Sequence, residues 1–408
     1  MKRFLYIFTL SLIILLIFTI GAWGQTTLRF WNFWPEKWMN VVIADFEKEN
    51  PDIKVEMERL TWDKGFDKIV TAFAAGDTPD VLELGSTWVA QFAADGALKE
   101  VKTDDILDKY MMWDPVIYKG KYYGYPWVIS TRILFYNKDL FEKAGLDPEN
   151  PPKTWKELRK AAMLINALGD DIYGFGIKTG QYTTWQTFLP FAWSNGGSVL
   201  SQDWKSANVN SKEFVEALSY VKSLTPYSMI DTNLNVRQAF MQGKVGIILD
   251  DVGRIAKFKK DAPSLNFGYG VFVKPDKPGA KPIQFGGAEV IVIPSNTKYP
   301  EAAEKLARFI VKKKSAMAIS SRIPTLLPAD KSVLTDEFFL KKPGFDVVLA
   351  QLKYTKTPPA HPKWVDLQEV LTEYITEVYN GTMEPQEAMD EAKQEMDEIL
   401  KEFEEESK

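Results

Sequence analysis

The chain has no cysteine and a single histidine, His361. Thiolate nucleophiles, disulfides, Cys/His zinc sites and histidine-based triads are therefore excluded together. No DxDxDG loop is present, so the expectation is a chain with no metal and no other cofactor. Aromatic residues are in excess: 13 Trp, 16 Tyr and 25 Phe. Most phenylalanines serve as core filler. An indole N–H needs a partner when buried, so tryptophans clustered near turns more often line a binding surface. Carboxylates stand close to such tryptophans, as Glu36 does to Trp34 and Glu83 to Trp88, and Asp250-Asp251 form a pair at the end of an apolar run.

These residues need elements to hold them. Residues 28–33 (LRFWNF) read as a strand, and Pro35 and Glu36 as favourable signals in the first turn of the following helix. A strand at 53–57, a helix stopped by Gly76, a strand at 80–84 and a helix closed at Gly96 continue the alternation of a doubly wound α/β layer. Ligands in such sheets sit beyond the carboxyl ends of the strands, here residues 32–36 and 83–88. Residues 119–140 organise the rest. A turn-rich aromatic segment (KGKYYGYPW) runs into a strand rich in β-branched and aromatic residues, and we read it as the first crossing between two lobes.

Beyond it, Thr154 with Glu157 forms a capping box, followed by strands at 173–177 and 245–249 with the aromatic run 182–193 between them. Residues 267–273 read as a second crossing, QFGGAE at 284–289 as a glycine-rich turn into a strand, and 322–327 as a third crossing. The tail is helical. The resulting division is residues 25–131 with 271–325 as lobe 1, and 132–270 with 326–408 as lobe 2.

A chain of 408 residues exceeds one typical core, and its formal charge of −5 argues against a nucleic-acid partner. Lys2 and Arg3 precede an unbroken apolar run at 4–20, then Ala22 and Gly24 as small residues of a signal-peptidase site. Residues 1–24 are thus expected to be a cleaved signal peptide, with an uncleaved anchor as the rival reading, and the mature protein to be periplasmic or otherwise extracytoplasmic.

Several stretches resemble the extracellular solute-binding proteins of bacterial ABC importers, in the subfamily that includes maltose- and other sugar-binding members. They are TPDVLELGSTWVAQFAADGALKEV (78–101), residues 118–146, PPKTWKELRKAA from Pro151, FAWSNGG, AFMQGKVGIILDD and FGGAEVIVIPSNTKYPEAAEKLARFI. They recur in the family's order over most of the mature chain. The resemblance implies an α/β, type II periplasmic-binding-protein fold of two lobes joined by hinge segments. It implies a monomer that closes on a carbohydrate and docks on membrane permease subunits, with no catalytic residues.

Carried over position by position, the implied ligand contacts are Trp31, Asn32, Trp34 and Glu36 after the first strand. Glu83, Ser86 and Thr87 follow at the third strand, Trp127 and Arg132 at the first crossing, and Trp185, Asp250 and Asp251 in the second lobe. Gly286, Gly287, Glu289, Arg322 and Trp364 complete the set. The sequence departs from common relatives after VGIIL, where Asp250-Asp251-Val252-Gly253-Arg254 replaces a glycine and an aromatic.

Carbohydrates present apolar faces and a rim of hydroxyls, which indole platforms and bidentate polar groups match. An anionic ligand would want more positive charge than the sequence lets one assign to the cleft, although a glycerol-phosphate-type ligand stays an alternative. A secreted glycosidase is another, needing two carboxyls roughly 5 to 9.5 Å apart. The absence of eight regular βα units disfavours a barrel enzyme.

Overall fold

In a computed structural model of the chain, residues 25–323 and 326–406 are described. The expected signal segment and two residues of the expected third crossing lie outside them. The strands in chain order are β1 (Thr26–Asn32), β2 (Ile53–Arg59), β3 (Val81–Gly85), β4 (Ile117–Tyr118), β5 (Lys121–Tyr122), β6 (Tyr125–Asn137), β7 (Tyr173–Thr179), β8 (Ser228–Thr232), β9 (Val245–Asp251), β10 (Phe267–Gly270), β11 (Gln284–Val292), β12 (Leu327–Pro328) and β13 (Thr355–Lys356).

One continuous sheet runs β2-β1-β3-β11-β6-β9-β7-β8. In the first half β1 pairs in parallel with β2 and β3, and helices Glu36–Glu49 and Gly65–Ala75 supply the connections. In the second half β7 pairs in parallel with β8 and β9. Helices Trp155–Asn166, Thr184–Asn195 and Lys212–Lys222 cover this half, with Trp364–Asn380 and Pro385–Glu406 packed outside them.

β6 belongs to both halves. Tyr125 to Thr131 pair with β11, whereas Arg132 to Tyr136 pair with β9. Along its 13 residues only Ser130 and Arg132 are less than fully buried. Two residues apart on a strand means one face, so this is where the sheet opens to solvent.

Local signals explain the element ends. Thr154 and Glu157 form the expected capping box, and Gly76 stops its helix in the left-handed region at φ 70°. Pro35 sits at the N-cap rather than inside the first turn. The aromatic run after Tyr182 becomes a helix, Thr184–Asn195, buried along nearly its whole length.

The crossings differ from the sequence reading. Phe267–Gly270 is an edge strand paired with the second-half end of β6. Phe272 and Val273 pack in the second-half core, and Lys274 pairs with Thr154. The chain returns only through β11, later than the expected boundary at 271, because the pairing of Phe267 to Gly270 holds it in place. Residues after 326 do not pack wholly with the second half either. Leu327 and Pro328 pair with Ile129 and Val128, and Met111 N–H donates to Ala329.

Candidate ligand-binding site

A cleft of about 450 Å³ lies between the halves, floored by Ser130, Arg132 and Phe285. The first-half wall brings Trp62, Ser86, Thr87, Gly287 and Glu289 to it, and the second-half wall Trp185, Gln186, Arg237, Asp251 and Arg254. The residues after β3 reach the cleft because the turn Ser86–Trp88 follows directly from the strand's carboxyl end. The Ser86 hydroxyl accepts the Ala288 N–H at 3.1 Å, tying that turn to β11.

β11 puts its two glycines to different uses. A Cβ on Gly286 would lie 1.9 Å from Thr355 Cγ2, so this glycine is where β13 packs against β11. A Cβ on Gly287 would meet nothing closer than 3.6 Å, and this residue lines the cleft. Thr355 also touches the Thr131 hydroxyl at 3.0 Å, on the face of β6 opposite Arg132.

Glu83 and Glu289 meet on adjacent antiparallel strands, β3 and β11. Glu83 is fully buried and accepts the Phe33 N–H at 2.8 Å. Glu289 accepts the Trp34 indole N–H at 2.8 Å and lines the cleft. No cation supports either group among the described residues. Burial, and for Glu289 the neighbouring Glu83 charge, raises both pKa values above the ordinary carboxylate range. The pair therefore takes up protons more readily than free glutamates do. Asn32 braces the same corner, its side-chain carbonyl accepting the Trp34 N–H at 3.0 Å.

Asp250 lies 2% exposed on the opposite wall. It accepts from Lys178 Nζ at 2.6 Å and from Arg237 Nε and Nη2 at 2.6 Å each, and its Oδ1 also takes the Asp251 N–H. Burial alone would raise its pKa, but Lys178 and Arg237 hold it far below the usual range. Burial likewise pulls the Lys178 ammonium down to about 7, against the pull of Asp250. Asp251, next along β9, faces the cleft opposite Arg132 and accepts the Gly253 N–H at 2.7 Å.

The expected site residues thus separate. Ser86, Thr87, Arg132, Trp185, Asp251, Gly287 and Glu289 line one cavity. Glu83, Trp34 and Asn32 stand behind Glu289, and Asp250 behind Arg237. Trp364 is buried and meets Trp185 edge-on at 5.2 Å, so it backs that ring and offers no platform of its own. Trp127 is wholly buried in the first-half core. Trp31 is buried beneath Lys68, whose ammonium lies 4.6 Å from its ring. Glu36 is exposed at a helix start, and Arg322 is exposed over Trp38, donating to the Ala318 carbonyl. Neither borders the cleft.

Sequence reasoning missed Trp62, Arg237, Arg254 and Gln186. Trp62 is 44% exposed and stacks on Phe33 at 4.1 Å, giving the first-half wall its open indole. It follows β2, and the carboxyl-end rule applied to that strand would have found it. Arg237 sits on helix Asn233–Met241, in a stretch that gave no motif.

The architecture is the two-lobe fold of periplasmic binding proteins, and the chain belongs to the bacterial extracellular solute-binding protein family, whose model matches residues 34–317. Among solved structures it is similar to an ABC transporter solute-binding protein of Thermotoga lettingae bound with α-D-tagatose. That likeness has 28% identity and a TM-score of 0.81 over 92% of this chain and 100% of that one. The sugar-binding protein MalE of Xanthomonas citri follows at 26% identity and TM-score 0.80, covering 93% of this chain and 98% of the other. Among curated sequences, the sn-glycerol-3-phosphate-binding periplasmic protein UgpB of Salmonella paratyphi A is 27% identical, with 98% of each chain covered.

Proposed function

We propose that this chain is the substrate-binding component of an ABC importer, holding a mono- or oligosaccharide in the cleft and delivering it to a membrane permease. The observation that carries this is the cleft itself. Both halves and the strand they share contribute to it, and its groups are suited to hydroxyls: Ser86, Thr87 and the readily protonated Glu289 on one wall, Asp251 and Gln186 on the other. A protonated carboxyl can donate to one hydroxyl and accept from another. The open Trp62 ring supplies an apolar platform beside them. The sugar-bound neighbours support the same reading.

In this reading the protein works exported and monomeric, after cleavage before Gln25, and performs no catalysis. The lobes close because the ligand gains contacts with the second wall only when the gap narrows, and that differential affinity shifts the hinge equilibrium. A thermal-shift screen of the mature chain against a sugar and polyol panel tests it. A saturable stabilisation without turnover of oligosaccharides is expected. Release of cleaved product would replace the reading with a glycosidase, and silence across the panel would remove the carbohydrate.

A further inference from the structure

The second-half wall has more cations than its acids can neutralise. Lys178, Arg132, Arg237 and Arg254 converge there on two carboxylates, Asp250 and Asp251. Asp250 is already saturated by Lys178, by both prongs of Arg237 and by a backbone N–H. Arg254 reaches it only at 3.7 Å. Asp251 holds the Gly253 N–H with one oxygen. Arg132 has no carboxylate within ion-pairing distance among the described residues: its guanidinium donates to the Gln186 side-chain carbonyl and lies 4.3 Å from the Phe285 ring centre.

Asp251, its cross-strand neighbour on β9, favours the Arg132 charge without touching it, and a half-buried guanidinium compensated only at a distance is costly, the more so once the cleft closes. Residue order alone does not signal this excess, because Asp250 reads there as a free site carboxylate. Trp185 lines the same cavity, and its buried indole N–H has no hydrogen-bond partner among the described residues. The opposite wall carries the hydroxyl-matched groups. A ligand that satisfies both walls has an anionic end and a hydroxylated end.

We propose that Arg132 and Arg254 form an anion subsite, and that the solute is an acidic saccharide whose carboxylate or phosphate seats there while its hydroxyls meet Ser86, Thr87 and Glu289. Planar guanidinium groups suit both oxyanions, which they grip bidentately. This deepens the saccharide reading and rests on it.

The test is titration calorimetry on the mature chain with matched probes: glucose, glucuronate and glucose 6-phosphate; galactose and galacturonate; and glycerol 3-phosphate. The acidic member of a pair is expected to bind at least about tenfold tighter than its neutral partner and to weaken as salt rises. The uronate and phosphate arms tell which oxyanion it is. Arg254→Gln is expected to shrink the preference for the acidic over the neutral member of each pair about tenfold. Arg132→Lys, which keeps the charge and spares the fold, is expected to weaken the acidic probe by losing the bidentate grip.

Equal affinity for acidic and neutral members, or equal weakening of both by Arg254→Gln, overturns the anion subsite and leaves the saccharide reading standing. Binding of glycerol 3-phosphate with no saccharide bound overturns the saccharide reading and with it the proposed solute.

Discussion

Glu83 and Glu289 on the first-half wall have no cation among the described residues, whereas Asp250 on the second-half wall is gripped by Lys178 and Arg237. Glu83 and Asp250 are buried within the same sheet, and Glu289 is partly buried at its cleft edge. On the first wall burial favours protonation of the pair, and a protonated carboxyl can both donate and accept. On the second wall Asp250 stays ionised because Lys178 and Arg237 grip it, and the surrounding guanidinium groups end in excess. The contrast teaches that a buried acid is read by its counter-ion: a proton prepares a wall for hydroxyls, and surplus arginine prepares one for an oxyanion.

Removing Asp250 should have the largest effect. Asp250→Ala leaves Lys178 and Arg237 buried without a carboxylate, and unfolding in denaturant should show a loss of about 3–5 kcal/mol. A loss under about 1 kcal/mol would mean that the cluster relaxes into solvent and the contrast is false.

The carboxyl pair should respond the other way. Its folded-state pKa values are raised, so the folded chain binds more protons than the unfolded one. Its contribution is most favourable below the ordinary glutamate value of 4.5 and is lost as pH rises through the raised values. Stability should therefore decline from mildly acid toward alkaline pH. Glu289→Gln should flatten that decline, gaining about 1–3 kcal/mol at alkaline pH relative to the parent. A parallel pH profile in the variant would refute the raised values of the pair.

Trp62→Ala tests the first wall's platform. Its ring is largely open to solvent, so ligand affinity should fall about tenfold with little change in stability. A large stability loss with unchanged affinity would make Trp62 a packing residue. Arg322→Ala should be smallest, with no measurable change in ligand affinity, since its guanidinium lies over Trp38 away from the cleft. Any selective loss of binding would return it to the site.

Much of the fold was legible because its signals are local: the capping box at Thr154, the stop at Gly76 and the run of β-branched and aromatic residues in β6. Ser86, Thr87, Gly287 and Glu289 were legible as cleft positions because strand ends and glycine turns place them. Trp127 was not, since residue type does not tell which face of a strand a ring occupies. Asp250 and Asp251 were read as equivalent although neighbours on a strand point to opposite faces. The return at β11 was hidden because Phe267 to Gly270 looks like a strand in either half, and only pairing with β6 decides it.

The claim beneath the comparison is that the two walls act together on one ligand, so the lobes must approach when it binds. Small-angle X-ray scattering of the mature chain, with and without a saturating amount of the best-binding saccharide, measures that directly. A smaller radius of gyration in the bound form is the predicted result. An unchanged radius at demonstrated saturation would contradict the account, because one wall alone would then be holding the solute.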